Sequence, residues 1–158
     1  MSLELVRNHL KEYGLDDRIR EFEVSSATVE LAAAALGTEG ARIAKTISVY
    51  GKEGGCLLIV TAGDTKIDNA KFKARFGFKP KMLAFDDALA MTGHAVGGVC
   101  PFALPDGVSV YLDESLKRFD TVYPAAGTAS SAVVLSPDEL FTSSRAISWE
   151  DLCKPREA

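Results

Sequence analysis

The chain has 158 residues, of which 47% are hydrophobic and 25% charged, the composition of an ordinary soluble globular protein. No apolar run approaches the ~20 residues of a membrane helix, and the first residues lack the basic and apolar regions of a secretory signal. We therefore expect one cytoplasmic domain spanning residues 1–158, with no membrane contact and an oligomeric state that the sequence leaves open.

The cysteines and histidines of the sequence predict no metal site. Three cysteines without CxxC spacing are typical of free thiols in a reducing compartment. His9 and His94 stand far apart, without carboxylate or cysteine partners at the spacing of metal ligands.

The net charge of −4 is unevenly distributed along the chain. Residues 42–81 contain nine Lys or Arg against three Asp or Glu, a balance of +6, whereas the segments on either side are acidic. This segment is either the footprint of a phosphate-bearing partner or an ordinary solvated face.

The predicted elements alternate irregularly between helix and strand. In chain order they are a helix at 3–13, a strand at 19–24, a helix capped by Ser26, a hairpin of strands 42–50 and 56–61, a helix at 69–76, a strand at 81–85, a helix capped by Asp86, strands at 108–112, 121–123 and 132–135, a helix opening at Ser136-Pro137, and a strand at 145–148. The pattern favours a mixed α/β or α+β fold over a strictly parallel, doubly wound sheet.

Lys45 is the most informative residue of the predicted hairpin. Strand alternation places it on the same face as Ile43, Ile47 and Val49, where an ammonium group is seldom buried without a partner. Such a lysine could hold a carbonyl group or transfer a proton, or it could simply extend to the edge of the sheet or pair with a carboxylate.

The glycine-rich segment 93–102 is the second candidate. Its glycines allow the backbone to approach a ligand closely before Pro101 stiffens it, although an ordinary connecting loop has the same composition. Cys100 and His94 within it could form a nucleophile–base pair, but a buried thiol is the more common state of such a cysteine. Asp113 follows a predicted strand and could point into a cleft, although capping the next helix is the default interpretation.

Together, Arg42-Ile43-Ala44-Lys45-Thr46, Gly93 to Phe102 and Val110-Tyr111-Leu112-Asp113 resemble the YbaK family. This family is the editing domain associated with prolyl-tRNA synthetase and includes free-standing relatives. The resemblance covers residues 20–150 and implies a mixed, largely antiparallel curved sheet surrounded by short helices. It also implies hydrolysis of the ester that links a wrong amino acid to tRNA, without a metal or organic cofactor.

The same resemblance implies roles for individual residues. Lys45 would be the catalytic lysine, and the remaining candidates would line or support the aminoacyl pocket: Thr46, His94, Gly97, Gly98, Val99, Cys100, Pro101, Phe102, Asp113 and Gly127. Cys100 stands where Ser or Thr is frequent in the family, and the Gly127 segment lacks a nearby basic residue. Both departures bear on which amino acid is selected.

The implied partners are the aminoacylated acceptor end of tRNA and an aminoacyl-tRNA synthetase. Two alternatives remain open at this point. One is a non-catalytic module that binds tRNA or a synthetase, and the other is a Cys100-dependent hydrolase of small esters.

Overall fold

The computed structural model describes residues 2–26 and 28–156. Five α-helices lie within these residues: α1 (Ser2–Lys11), α2 (Val29–Leu36), α3 (Asn69–Phe76), α4 (Phe85–Thr92) and α5 (Pro137–Ser143). Nine strands accompany them: β1 (Ile19–Glu21), β2 (Ile43–Tyr50), β3 (Cys56–Ala62), β4 (Thr65–Ile67), β5 (Val108–Asp113), β6 (Tyr123–Pro124), β7 (Ser131–Val133), β8 (Ser148–Glu150) and β9 (Cys153–Pro155).

The central sheet has five strands in the order β6-β2-β3-β5-β8. Its longest pairing is the antiparallel hairpin of β2 and β3, whereas β6, β5 and β8 each join in parallel. Two further two-stranded sheets, β1-β7 and β4-β9, are antiparallel. The predicted mixed α/β fold is confirmed, and the parallel pairings within its main sheet are an addition that strand spacing alone did not indicate.

Hydrophobic side chains pack on both faces of this sheet. The largest cluster includes Leu58, Val60, Val110 and Leu112 from the central strands and Leu10 from α1. A second cluster lies on the opposite face, where Ile59 and Tyr111 contact Phe72 of α3. Alternate residues of one strand point to opposite faces, so the two clusters follow directly from the apolar runs of β3 and β5.

Several predicted boundaries were wrong in detail. Thr28, not Ser26, caps α2, and α4 begins after Ala84 without a side-chain cap, so Asp86 lies within its first turn. The strand expected at 81–85 is reduced to one isolated bridge between Met82 and Val49. The strand expected at 145–148 begins only at Ser148, and the short strands β4 and β9 were not predicted.

No helix among the described residues is long and apolar enough to cross a membrane.

A cleft at the open edge of the central sheet

The site is a cleft of ≈ 340 Å³ that lies along the outer edge of β2. Helix α2 contributes Val29 and Ala32 to its wall, and the glycine-rich loop contributes Gly97 and Val99. The remaining lining residues are Ser26, Thr28, Ile43, Ala44, Lys45, Thr46, Ile47, Ser48, Met82, Leu83, Ala88, Val96, Tyr123, Ala125, Ser131 and Ala132. Most are small or apolar, so the cleft suits a small ligand group of limited polarity.

The cleft exists because β2 is an incompletely paired edge strand. Strand β6 pairs only with Ile43 and Ala44. Farther along, the carbonyl of Ser48 accepts a hydrogen bond from the Leu83 N–H at 3.1 Å, and the Tyr50 N–H donates to the Lys81 carbonyl at 2.9 Å.

Between these two stretches lies Thr46. Backbone groups of alternate residues point to the same side of a strand, so the N–H and C=O of Thr46 point to this open edge. The described strand registers place no partner strand opposite them. An edge of this kind can bond to a ligand through its backbone.

Lys45 is half-buried in this cleft, as its position on the strand indicated. Its ammonium group donates a hydrogen bond to the carbonyl of Thr65, the first residue of β4 after the turn that follows β3. Burial lowers the pKa of Lys45, and the nearby positive charge of Arg156 lowers it further. Smaller opposing effects come from the carboxylates of Asp64 and Glu30.

A network of hydroxyl groups holds the turn that anchors Lys45. Thr65 Oγ1 lies 2.7 Å from Thr61 Oγ1 and donates to the Ala62 carbonyl at 2.8 Å. Thr61 Oγ1 also lies 3.1 Å from Ser115 Oγ. The position of the lysine is therefore fixed by the protein before a ligand binds.

Thr46 stands out because its hydroxyl oxygen is buried and has no hydrogen-bond partner among the described residues. Buried polar atoms are nearly always paired, since leaving one unpaired costs about 1–3 kcal/mol. An unpaired hydroxyl on a cleft-lining residue is a candidate ligand-binding group.

The structure separates the remaining predicted site residues from the cleft. His94, Gly98, Cys100, Pro101, Phe102, Asp113 and Gly127 are all buried and do not line it. Gly98 illustrates the packing: a Cβ atom at this position would lie 2.6 Å from the Gly127 carbonyl oxygen, so only glycine allows the two segments to meet.

Cys100 and His94 are in contact, with 3.5 Å between Sγ and Nε2, although the chemistry of a catalytic pair is missing. Both side chains are fully buried. Burial raises the pKa of the Cys100 thiol to about 12 and lowers the pKa of His94. His94 Nε2 lies 2.7 Å from the Phe102 carbonyl, which can only accept, so this nitrogen carries the proton and cannot take one from the thiol.

Asp113 has a structural role of the kind the sequence favoured. Its carboxylate accepts hydrogen bonds from the N–H groups of Ser115, Leu152 and Cys153, at 3.0, 2.8 and 3.1 Å. The side chain thereby caps the short 3₁₀-helix Glu114–Arg118 and fastens the C-terminal segment.

The basic segment 42–81 is partly neutralised by ion pairs. Arg42 pairs with Asp120, Lys71 with Asp151, and Arg75 with Glu150. Within residues 2–26 and 28–156, the lysines of this segment with no carboxylate oxygen within 4.0 Å are Lys45, Lys52, Lys66, Lys73, Lys79 and Lys81. Lys79 and Lys81 stand immediately before the cleft residues Met82 and Leu83.

Residues 23–142 match the family described as "Aminoacyl-tRNA editing domain". The chain belongs to this family. Proteins similar to this chain include "Uncharacterized protein YwhH" of Bacillus subtilis, which is 50% identical over 99% of this chain and 100% of its own length. Another is the Enterococcus faecalis protein named "Putative Cys-tRNA(Pro)/Cys-tRNA(Cys) deacylase EbsC", 29% identical over 89% of this chain and 85% of its own.

A solved structure agrees with this assignment. The "Crystal structure of a putative trans-editing enzyme for prolyl tRNA synthetase" superposes with a TM-score of 0.87 at 28% identity, covering 97% of each chain. Together these relatives confirm the YbaK/EbsC-like editing fold expected from the lysine strand and the glycine-rich loop. They support aminoacyl-tRNA deacylation as the activity associated with the family.

Sequence reasoning did not identify all of the cleft. It missed the α2 residues Val29 and Ala32, the anchoring carbonyl of Thr65, and Arg156 beside Lys45. Local sequence carried no signal for these residues, because segments distant in the chain bring them to β2.

Proposed function

We propose that this protein is a trans-editing deacylase that hydrolyses the ester bond between a mischarged amino acid and the 3′-terminal ribose of tRNA. The reaction takes place in the cleft on the edge of β2, with Lys45 positioning the aminoacyl group. The observation that carries the proposal is that Lys45, half-buried and anchored through its ammonium to the Thr65 carbonyl, lines a small cleft beside an unpaired strand edge.

Lys45 and the edge of β2 supply the electrostatic part of catalysis. Only one of the three ammonium hydrogens is needed for the bond to the Thr65 carbonyl, which leaves two for the carbonyl oxygen of the substrate. The N–H of Thr46 is a second donor at the same edge. Preorganised donors of this kind stabilise the negative charge that develops as the ester is attacked.

The attacking group is water, oriented by the substrate itself. Among the cleft-lining residues that the structure describes, none is Asp, Glu or His, so no side chain is suited to act as general base at neutral pH. The free ribose hydroxyl next to the ester lies within reach of an attacking water and can orient it.

The cleft favours a small amino acid. Many of the residues that line it have small side chains or none, among them Ala32, Gly97 and Val99. The named activity of the E. faecalis relative concerns Cys-tRNA, and cysteine fits this space. Cysteine, alanine and serine are therefore the first substrates to test.

The partner is the aminoacylated acceptor end of tRNA, and an aminoacyl-tRNA synthetase is a second partner. The unpaired lysines Lys79 and Lys81 stand near one end of the cleft, where they can contact phosphate groups. Binding that depends on such contacts weakens as salt is added.

The test measures binding and hydrolysis together on tRNA charged with cysteine, alanine or serine. The wild-type protein is expected to release amino acid, and Lys45→Ala is expected to lose about 100-fold or more of this activity while keeping its fold. The matched control is Lys73→Ala, since Lys73 lies exposed on α3. Binding without release by the wild type would favour the non-catalytic module, and unchanged turnover in Lys45→Ala would refute the role of the lysine.

A further inference from the structure

The C-terminal segment 151–156 lies outside the matched family region, yet it reaches the lysine of the cleft. The buried carboxylate of Asp113 fixes its start by accepting the N–H groups of Leu152 and Cys153. Strand β9 then pairs with β4, whose first residue, Thr65, anchors Lys45 through its carbonyl. The path of the chain beside Lys45 is therefore determined by buried hydrogen bonds.

Arg156 follows β9 and bonds to the segment at residues 63–65, to which Lys45 is also bonded. Its N–H donates to the Asp64 carbonyl at 2.8 Å, and its Nη1 donates to the Gly63 carbonyl at 3.4 Å. Lys45 bonds to the next carbonyl along, that of Thr65. The guanidinium of Arg156 and the ammonium of Lys45 therefore bond to carbonyls two residues apart, those of Gly63 and Thr65.

The guanidinium group also reaches helix α2. Arg156 Nη2 lies 3.9 Å from Glu30 Oε1, and the neighbouring Val29 lines the cleft. Because the arginine side chain is 43% exposed, this ion pair contributes little to stability. The ion pair matters for position instead, because it connects α2, which forms part of the cleft wall, to the turn that holds Lys45.

We infer that Arg156 is a positioning residue for the editing reaction, which holds a second positive charge beside Lys45 and ties α2 to the turn at residues 63–65. The inference rests on the proposed function only for its effect on turnover. The hydrogen bonds of Lys45 and Arg156 to this one segment are a property of the free protein.

The charged and titratable groups that face Lys45 come from four places: Arg156 from the C-terminal segment, Asp64 from the turn, Glu30 from α2 and Cys153 from β9. Burial raises the pKa of the Cys153 thiol to about 12, so this group is neutral near pH 7. Arg156 lowers the pKa of Lys45, and the two carboxylates oppose that effect. A more acidic ammonium is a stronger hydrogen-bond donor to a developing oxyanion.

The test is a titration of the Lys45 side-chain amine by NMR in the complete protein, with no tRNA present. Replacing Arg156 by Gln removes a positive neighbour, so the Lys45 pKa is expected to rise, whereas Glu30→Gln is expected to lower it. Arg156→Lys keeps the charge and is expected to leave Lys45 close to its wild-type titration. The control is Arg145→Gln, which removes an exposed arginine that is paired with Glu12 instead.

Turnover provides the second measurement. Arg156→Gln is expected to reduce kcat/KM for deacylation about threefold to tenfold, with Arg156→Lys recovering most of the loss. If the wild type hydrolyses no charged tRNA, the proposed function fails while the titration still decides the role of Arg156. An unchanged Lys45 titration in Arg156→Gln, or an equal rise in Arg156→Lys, would overturn the inference.

Discussion

The two sides of the glycine-rich loop contrast sharply. On the buried side of the loop, His94 and Cys100 are the residue types of a nucleophilic pair, and they are in contact. On the side that faces the cleft, Lys45 and Thr46 occupy a strand edge, and the described residues that line this cleft include no Cys, Asp, Glu or His. Residue type alone would place the chemistry on the buried side of the loop.

The burial, protonation and hydrogen bonding of these residues indicate the opposite. The Cys100 thiol is buried and protonated, and the His94 proton is committed to the Phe102 carbonyl. On the cleft side, Thr46 has an unpaired hydroxyl and a backbone without a partner strand, and Lys45 has hydrogens to spare. Groups that are already satisfied stabilise a fold, whereas groups that still need partners are available to a ligand.

After Lys45→Ala, the substitution expected to have the largest effect on activity is Thr46→Val. It removes the unpaired hydroxyl of Thr46 with little change in the shape of the side chain. Its loss is expected to leave the free energy of unfolding unchanged or raised by up to ~1 kcal/mol, because an unsatisfied buried group is lost. If that hydroxyl finds its partner in the substrate, kcat/KM falls about threefold to tenfold. Urea unfolding and deacylation kinetics measure the two effects.

Thr61→Val is the matched control for this change. The Thr61 hydroxyl is buried and already contacts Thr65 and Ser115. Its removal is expected to destabilise the protein by about 1–2 kcal/mol, since both partners lose a bond. A loss of stability in Thr46→Val as large as that in Thr61→Val would contradict the distinction.

The smallest expected effect is that of Cys100→Ala. The thiol has no catalytic role in this account, so deacylation should stay within about twofold of the wild-type rate. Stability should fall by about 1 kcal/mol, because a buried atom is removed from a packed site. Cys56→Ala, another buried cysteine, serves as the comparison. A large loss of turnover in Cys100→Ala alone would revive the thiol-hydrolase alternative.

The sequence predicted those parts of the molecule that depend on local pattern. The apolar alternation of residues 42–50 correctly predicted the strand β2, and Ser136-Pro137 correctly marked the start of α5 through its capping box. The default expectation for Asp113, capping the helix that follows, was also confirmed.

The sequence did not predict which residues of the glycine-rich loop would face the cleft. Gly97 and Val99 line the cleft, whereas Gly98 and Cys100 between and after them are buried against the Gly127 segment. The loop has no regular period, and its orientation is set by packing on a segment almost thirty residues away. Arg156 was invisible for the same reason, since β9 reaches Lys45 only through its pairing with β4.

The most direct measurement of the central claim is binding of a non-hydrolysable, amide-linked analogue of cysteinyl-adenosine, followed by NMR chemical shifts. A second hollow of ≈ 190 Å³, lined by residues that include His9, Pro101 and Arg145, serves as an internal comparison. We expect saturable shifts at Lys45, Thr46, Gly97 and Val99 in the wild type, and much weaker binding to Lys45→Ala. Shifts confined to His9 and Arg145, or equal affinity in both proteins, would contradict the account.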